Sequence, residues 1–269
     1  MKLSSELIVE PGKKARIGHR DPEATPGEAD KDTALELVGK NTRRLAELQY
    51  LLYAESKRAV LIVIQAMDTA GKDGVIRHVM TGLNPQGCRV TPFKVPSSEE
   101  MRHDFLWRIH RAVPAAGEVG IFNRSHYEDV LVVRVHKLVP KDIWSERYTQ
   151  INAFEKLLTE NNVTVVKFFL HISKDEQKRR LQDRLDDPTK HWKLSAADFQ
   201  ERNYWADYVR AYEDALTRCS TPWAPWYIIP ANRKWSRNLA VSQILVEILE
   251  ELDMQFPAPS VDVSKIRVR

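Results

Sequence analysis

Two cysteines, Cys88 and Cys219, are all that the 269 residues contain. They are too few for a disulfide framework and lack metal-ligand spacing, so both read as reduced packing residues. No run approaches the ~18 apolar residues of a membrane-spanning helix. Met1-Lys2-Leu3-Ser4 leads into charge, so no signal peptide is expected and the cytoplasm is the default compartment. Large excess charge is also missing. Against 37 Asp and Glu stand 41 Lys and Arg, and a net +4 does not point to duplex nucleic acid. Zinc spacing, a helix-turn-helix, an aromatic–basic RNA signature, internal repeats and low-complexity tracts are all absent.

What is present fits one large α/β domain, with 43% hydrophobic residues to build its core. Charge is uneven along the chain. Lys72 to Lys141 holds eleven Lys/Arg against seven Asp/Glu, and five of the eight histidines. Such a concentration either attracts a polyanion or forms a solvated face.

Residues 1–30, with Pro11, Gly12, Pro22, Pro26 and Gly27, read as an extended arm that needs docking to be ordered, and 31–269 as a single domain. Val38, Leu45, Leu48 and Leu52 predict one helix over Asp32 to Glu55. The unbroken apolar run Ala59–Ile64 reads as a strand covered on both faces of a parallel sheet. Further short apolar runs are Cys88–Phe93, Val119–Phe122, Val163–Ile172 and Trp226–Ile229. Ser97 and Glu100 have capping-box spacing, and Met101, Phe105, Ile109 and Val113 predict a helix behind them. Another helix starts at Ser195 and carries the stripe Trp205, Tyr208, Val209, Tyr212 and Leu216; a last one runs from Ser236 to Leu252. Alternating strands and helices imply right-handed crossovers and a doubly wound parallel sheet.

Gln65-Ala66-Met67-Asp68-Thr69-Ala70-Gly71-Lys72-Asp73-Gly74 leaves the first strand and enters a helix through Val75-Ile76-Arg77. Successive backbone N–H groups at such a place wrap an anion, helped by the helix N-terminus. Gly71 and Gly74 would admit close approach, Ala70 and Asp73 would contribute backbone, and Lys72 and Arg77 would reach phosphates. The match to G-x-x-x-x-G-K-[ST] is imperfect, with Ala66 for the first Gly and Asp73 for the Ser/Thr that holds Mg²⁺. The alternative is a strand-to-helix turn with a solvated Lys72. Asp68 could then coordinate Mg²⁺, accept a proton, or simply bond its own turn.

Ile121 to Asp129 follows the third strand, and strand carboxyl ends of an open α/β sheet face the ligand crevice. Arg124 suits a phosphate clamp or a surface ion pair; Glu128 and Asp129 could stand behind a metal or support a helical turn. His126 has no partner at metal spacing and reads as packing or surface. Lys174 to Lys193 is dense in charge, with Arg180 and Arg184 one turn apart and Pro188 ending the helix. It reads as a basic lid over about 174–194, or as an ordinary surface helix.

Taken together, Met67–Gly74, Phe122–Asp129, Lys190–Ser195 and Ala224–Ala231 resemble the polyphosphate kinase 2 family, over about Lys31 to Leu252. The resemblance implies a three-layer α/β/α, thymidylate-kinase-like P-loop fold and Mg²⁺-dependent, reversible phosphoryl transfer between inorganic polyphosphate and a nucleotide. It places Asp68 and Lys72 in the first phosphate loop, Arg124 in the second cluster and Arg184 in the lid. The His126-Tyr127-Glu128-Asp129 run is more similar to members accepting AMP as well as ADP. Expected partners are polyphosphate, adenine nucleotides (with guanine nucleotides as an extension) and further copies in a homo-oligomer; nucleic acid and membrane are not expected. The rivals are an ATP-dependent nucleoside monophosphate kinase of the same fold and a nucleotide-binding protein without turnover.

Overall fold

The computed structural model describes residues 2–27 and 29–268; Met1, where the reading of the N-terminus starts, lies outside them, as do Glu28 and Arg269. The chain opens with α1 (Leu3–Leu7), β1 (Ile8–Val9) and the long α2 (Lys31–Glu55). Then come β2 (Ala59–Ala66), α3 (Lys72–Val79), β3 (Cys88–Pro92), the short α4 (Trp107–His110) and β4 (Val119–Asn123). They are followed by α5 (Val132–Val135), α6 (Lys141–Glu160), β5 (Val163–His171) and α7 (Lys174–Leu185). The last elements are α8 (Ala196–Glu201), α9 (Trp205–Cys219), β6 (Trp226–Pro230) and α10 (Lys234–Glu251).

Six strands form one sheet in the order β1-β6-β5-β2-β4-β3, parallel except for β1, which runs antiparallel to β6. The unbroken apolar character of β2 comes from its place: it lies between β4 and β5, and all eight residues are buried. Helix α10 packs on α2 and α3, while α6 packs on α5 and α9. Crossovers that run in opposite directions along a sheet lie on opposite faces when all are right-handed, which gives three layers. The strand order reverses beside β2, so the carboxyl ends of β2 and β4 open onto the crevice where ligands bind in such sheets. No helix among the described residues is long and apolar enough to cross a membrane.

The docking that the N-terminal arm needs is supplied by two helices. Glu247 of α10 accepts the N–H groups of Leu3 and Ser4, standing in for the missing cap of α1. Glu213 of α9 accepts those of Arg16 and Ile17, and Ile17 is buried. The arm is thus folded onto the domain and extends its sheet, where the sequence suggested only an extended segment.

The helix expected after Ser97 does not run to Val113. Its capping box forms, with Ser97 N–H on Glu100 and Glu100 N–H on Ser97 Oγ. It caps a single 3₁₀ turn, Glu100–Arg102, after which His103 is extended and the Asp104 side chain takes the N–H of Leu106. Asp competes with the helical backbone in this way, so the chain restarts at α4, and Met101 is left 67% exposed.

Behind β4 a charged network is wholly enclosed. Lys167 of β5 donates to Glu155 at 2.5 Å, to the Tyr127 hydroxyl at 2.9 Å and to the Cys219 carbonyl at 2.7 Å. Glu155 also accepts from Tyr127 and meets His126 Nε2 at 3.1 Å. Burial works against its charge, but Lys167 and His126 hold the Glu155 carboxyl below its usual range. Deleting one partner of a buried pair strands the other charge, so Glu155→Ala should lose about 3–5 kcal/mol, whereas Glu155→Leu with Lys167→Met should lose far less. Urea titrations of the two variants check this; a loss under about 1 kcal/mol for Glu155→Ala would show that the pair contributes nothing to the core.

Candidate functional site

Beyond β2, Met67 to Gly71 form a tight loop that runs into α3. Its shape needs left-handed backbone at Thr69 (φ 65°) and Gly71 (φ 103°). Across the crevice, Arg124 at the end of β4 is also left-handed (φ 64°), and its N–H returns to Ile64 of β2. Non-glycine residues held at positive φ store strain, and here they stand on both sides of one cleft. Thr69 Oγ1 is buried in the loop without a hydrogen-bond partner among the described residues.

The cleft has a volume of about 680 Å³ and is lined from stretches far apart in the chain. Asp68, Lys72 and Asp73 come from the loop and α3; Arg124, Glu128 and Asp129 from the turn after β4; Arg184 from the end of α7; and Phe93, Lys94 and Arg108 from the segment after β3. Arg124 lies between two carboxylates, Asp68 at 2.9 Å and Glu128 at 3.3 Å. Burial opposes its charge, but Glu128 and Asp68 outweigh burial and hold the guanidinium above its usual value. Lys72 rests against the Ala66 carbonyl at 3.2 Å, and burial, reinforced by Arg124, draws its ammonium below the usual value. The Asn123 amide donates to Asp73 at 2.8 Å and so joins α3 to the end of β4.

The predicted residues separate into two groups. Asp68, Gly71, Lys72, Asp73, Gly74, Arg124, Glu128, Asp129 and Arg184 face the common cleft. Arg77 does not: it is exposed on α3, away from the lining. Ala70 is buried and contributes its carbonyl to the underside of the loop. Arg180 corrects the lid expectation. Its five N–H donors go to Glu176 and to the carbonyls of Thr69, Ala70, Ala231 and Asn232, so none is free for phosphate. A helix held this way cannot swing as a unit. The loosely held part lies beyond it: from Gln182 to Arg210 no residue is buried, and Trp192 is 79% exposed. Arg184 sits at the junction, 3.7 Å from Asp198.

The metal candidates also divide. Asp129 is held by Arg147 at 2.9 Å, whereas Asp68 and Glu128 open onto the cleft around Arg124. No three potential ligand side chains converge among the described residues. A hard divalent cation needs few protein ligands when phosphates supply the remaining oxygens, and Asp68 with Glu128 fits that requirement. His126 is wholly buried against Glu155 and faces no ligand.

Sequence reasoning missed Arg237, which underlies the loop, and the wall of Phe93, Lys94 and Arg108. The Arg108 guanidinium lies over the Phe93 ring at 5.4 Å and donates to the Lys94 carbonyl, so the wall is held as one piece. The position of Phe93 one residue beyond a strand was the only available signal for it.

The family model of Polyphosphate kinase 2 matches residues 28–257. An AMP/ADP-polyphosphate phosphotransferase from Meiothermus ruber is 52% identical over 259 residues, 96% of this chain and 97% of that protein. An ADP-polyphosphate phosphotransferase from Rhodopseudomonas palustris is 48% identical, over 96% of this chain and 93% of its own. The crystal structure of Polyphosphate Kinase 2 from Arthrobacter aurescens TC1 superposes with a TM-score of 0.95 at 47% identity, covering 98% of this chain and 94% of that one.

At the cleft edge, burial raises the Asp129 carboxyl from its ordinary 3.8 to about 6, with Arg147 and Arg108 opposing it only in part. A folded-state value above the unfolded one stabilises at low pH. The contribution is complete below about pH 4 and is lost as pH rises through about 6, on the order of 2–3 kcal/mol. Asp129→Asn should flatten the fall in urea stability between pH 4.5 and 7; an unchanged slope would show that Asp129 titrates normally.

Proposed function

Because the chain belongs to the polyphosphate kinase 2 family, we propose that it moves phosphoryl groups from inorganic polyphosphate to AMP and ADP, reversibly and with Mg²⁺ as its divalent metal. The observation that carries this reading is the convergence of Lys72, Arg124 and Arg184, from three distant segments, on one cleft beside a loop shaped for anions. Similarity to the AMP/ADP-polyphosphate phosphotransferase supports both acceptors. Within the His126–Asp129 run only Glu128 and Asp129 line the cleft, so any choice between acceptors made by that run falls to them. Pro92, Val95 and Pro96, which line the cleft beside Phe93, give the acceptor's nucleoside an apolar surface to lie against.

In the proposed reaction a phosphate oxygen of the nucleotide attacks the terminal phosphorus of polyphosphate. A new P–O bond forms as the bridging P–O bond breaks, and the electron pair leaves with a polyphosphate one unit shorter. The attacking oxygen is already ionised near neutral pH, so little base assistance is required and positioning and charge neutralisation dominate. Lys72 and Arg184 neutralise the transferring group. Arg124, positioned by Asp68 and Glu128, presents its planar fork to it. A divalent cation held by Asp68 and Glu128 would supply charge neutralisation of the phosphate oxygens. The segment from Asp186 to Tyr204 serves as the lid, bringing Lys193 over the phosphates toward Arg184, which stands fixed at the end of α7, and excluding water.

Protein given Mg²⁺, polyphosphate and AMP should make ADP and then ATP. Product formed only with ATP as donor would replace this reading by an ordinary monophosphate kinase, and ligand binding with no product would replace it by a non-catalytic one. Lys72→Ala and Asp68→Asn should each lower turnover by about a hundredfold or more with thermal unfolding unchanged. Arg184→Ala should lower kcat far more than nucleotide affinity, since its contact is with the transferring phosphoryl group and strengthens in the transition state. Activity near that of the parent protein removes the corresponding residue from the mechanism.

A further inference from the structure

Beneath the loop lies a charge that the proposed phosphoryl transfer does not use. Arg237, in the first turn of α10, is 2% exposed. Its Nη1 donates to the Ala70 carbonyl at 3.2 Å, while Nε and Nη2 donate to Asn238 Oδ1 at 3.1 and 2.8 Å. Arg180 donates to the same Ala70 oxygen at 3.0 Å, so two guanidinium groups meet on one carbonyl. Arg180 has Glu176 as a counter-ion. Arg237 has no carboxylate near it among the described residues: burial first, and then the charge of Arg180, push it down to about 10. Lys234 adds a third cation to the group, lowered by burial and by these same arginines.

The two loop glycines are explained from below. A Cβ on Gly71 would overlap Arg237 Nη1, and one on Gly74 would stand 3.0 Å from Nη2. The guanidinium therefore fills the underside of the stretch whose other face opens onto the cleft. A buried guanidinium without a counter-ion is costly, and this one is separated from the cleft by a single layer of peptide. An anion on the outer face would supply the missing negative charge.

We propose that Arg237 is a positioning residue for phosphate binding: it braces the Ala70–Gly74 backbone from behind, and its unpaired charge adds to the attraction for phosphate on the open face. This rests on the reading of that loop as the phosphate site. If Arg237 were only glue between α10 and the loop, its loss would lower the stability of the free protein and leave phosphate affinity alone. A charge-supplying residue behaves in the opposite way, because the free protein is relieved of an unpaired buried charge while the complex loses a partner.

The test is calorimetric binding of inorganic tripolyphosphate, with thermal unfolding in its absence and presence. R237M should bind about tenfold more weakly or worse, the effect of one unit charge a few ångströms away at an intermediate dielectric. Its unfolding midpoint without ligand should hold or rise, and its ligand-induced shift should shrink. R237K keeps the charge and should remain within about threefold of the parent protein. R44M, which removes a charge from the exposed face of α2, should bind like the parent. If R237M does not fold, R237Q against R237K gives the same contrast between charge lost and charge kept. Unchanged affinity in R237M, equal weakening in R44M, or R237K failing as badly as R237Q would overturn the proposal. If the parent protein itself does not bind tripolyphosphate, the reading of the loop fails, and this inference with it.

Discussion

The carbonyl oxygen of Ala70 is the point on which the site's geometry turns. Arg180 reaches it from α7 and Arg237 from α10, and both side chains are buried. Arg180 also takes the carbonyls of Thr69, Ala231 and Asn232, so one guanidinium joins the loop after β2, α7 and the turn after β6. Hydrogen bonds from a charged donor are stronger than neutral ones, and burial strengthens them further. The loop is thereby held in a shape that includes left-handed Thr69. Without that support its backbone would relax, since such a conformation persists only where the surroundings over-determine it.

On the open side the arrangement is less closed. Arg124 is shared by Asp68 and Glu128, and its side chain is only partly buried, so the ion pairs around it are not sealed from the cleft. Behind Arg124 the chain is anchored firmly: Ser125, His126 and Tyr127 are buried, and the last two are bonded to Glu155. The second cluster is thus half anchor and half site. Two of its residues hold the turn in the core while Arg124, Glu128 and Asp129 reach the cleft.

Rigid and loose regions meet at Leu185. Helix α7 is tied down along its length, and the chain beyond it has no buried residue until α9 is well under way. Glu201 ties the far end of that stretch to His136 and Tyr208, which gives it a second fixed point. A segment fixed at both ends and unburied between them can close over a cleft at little cost in lost packing.

Much of this was legible in the sequence, because the strands and long helices are announced by local periodicity. The run Ala59–Ile64 is a central strand, and the stripe from Trp205 to Leu216 packs on the core as its spacing requires. Asp68, Lys72, Arg124 and Arg184 could be picked out as candidates because each lies beside a strand end or a helix end, and all four line one cleft. What only the tertiary structure decided is the partner of each long charged side chain. Arg180 and Arg184 share a helix face and look alike in sequence, yet one is enclosed and fully bonded while the other faces the cleft. Arg237 gave no signal at all. Its partner in the loop is a backbone carbonyl 167 residues away, and a carbonyl is present at every position of every chain. The same holds for Lys167, a charge within a buried strand whose partners Glu155 and Tyr127 lie 12 and 40 residues away along the chain. Sequence pattern reports which residues avoid water; which buried charges find partners depends on distances that exist only after the chain has folded.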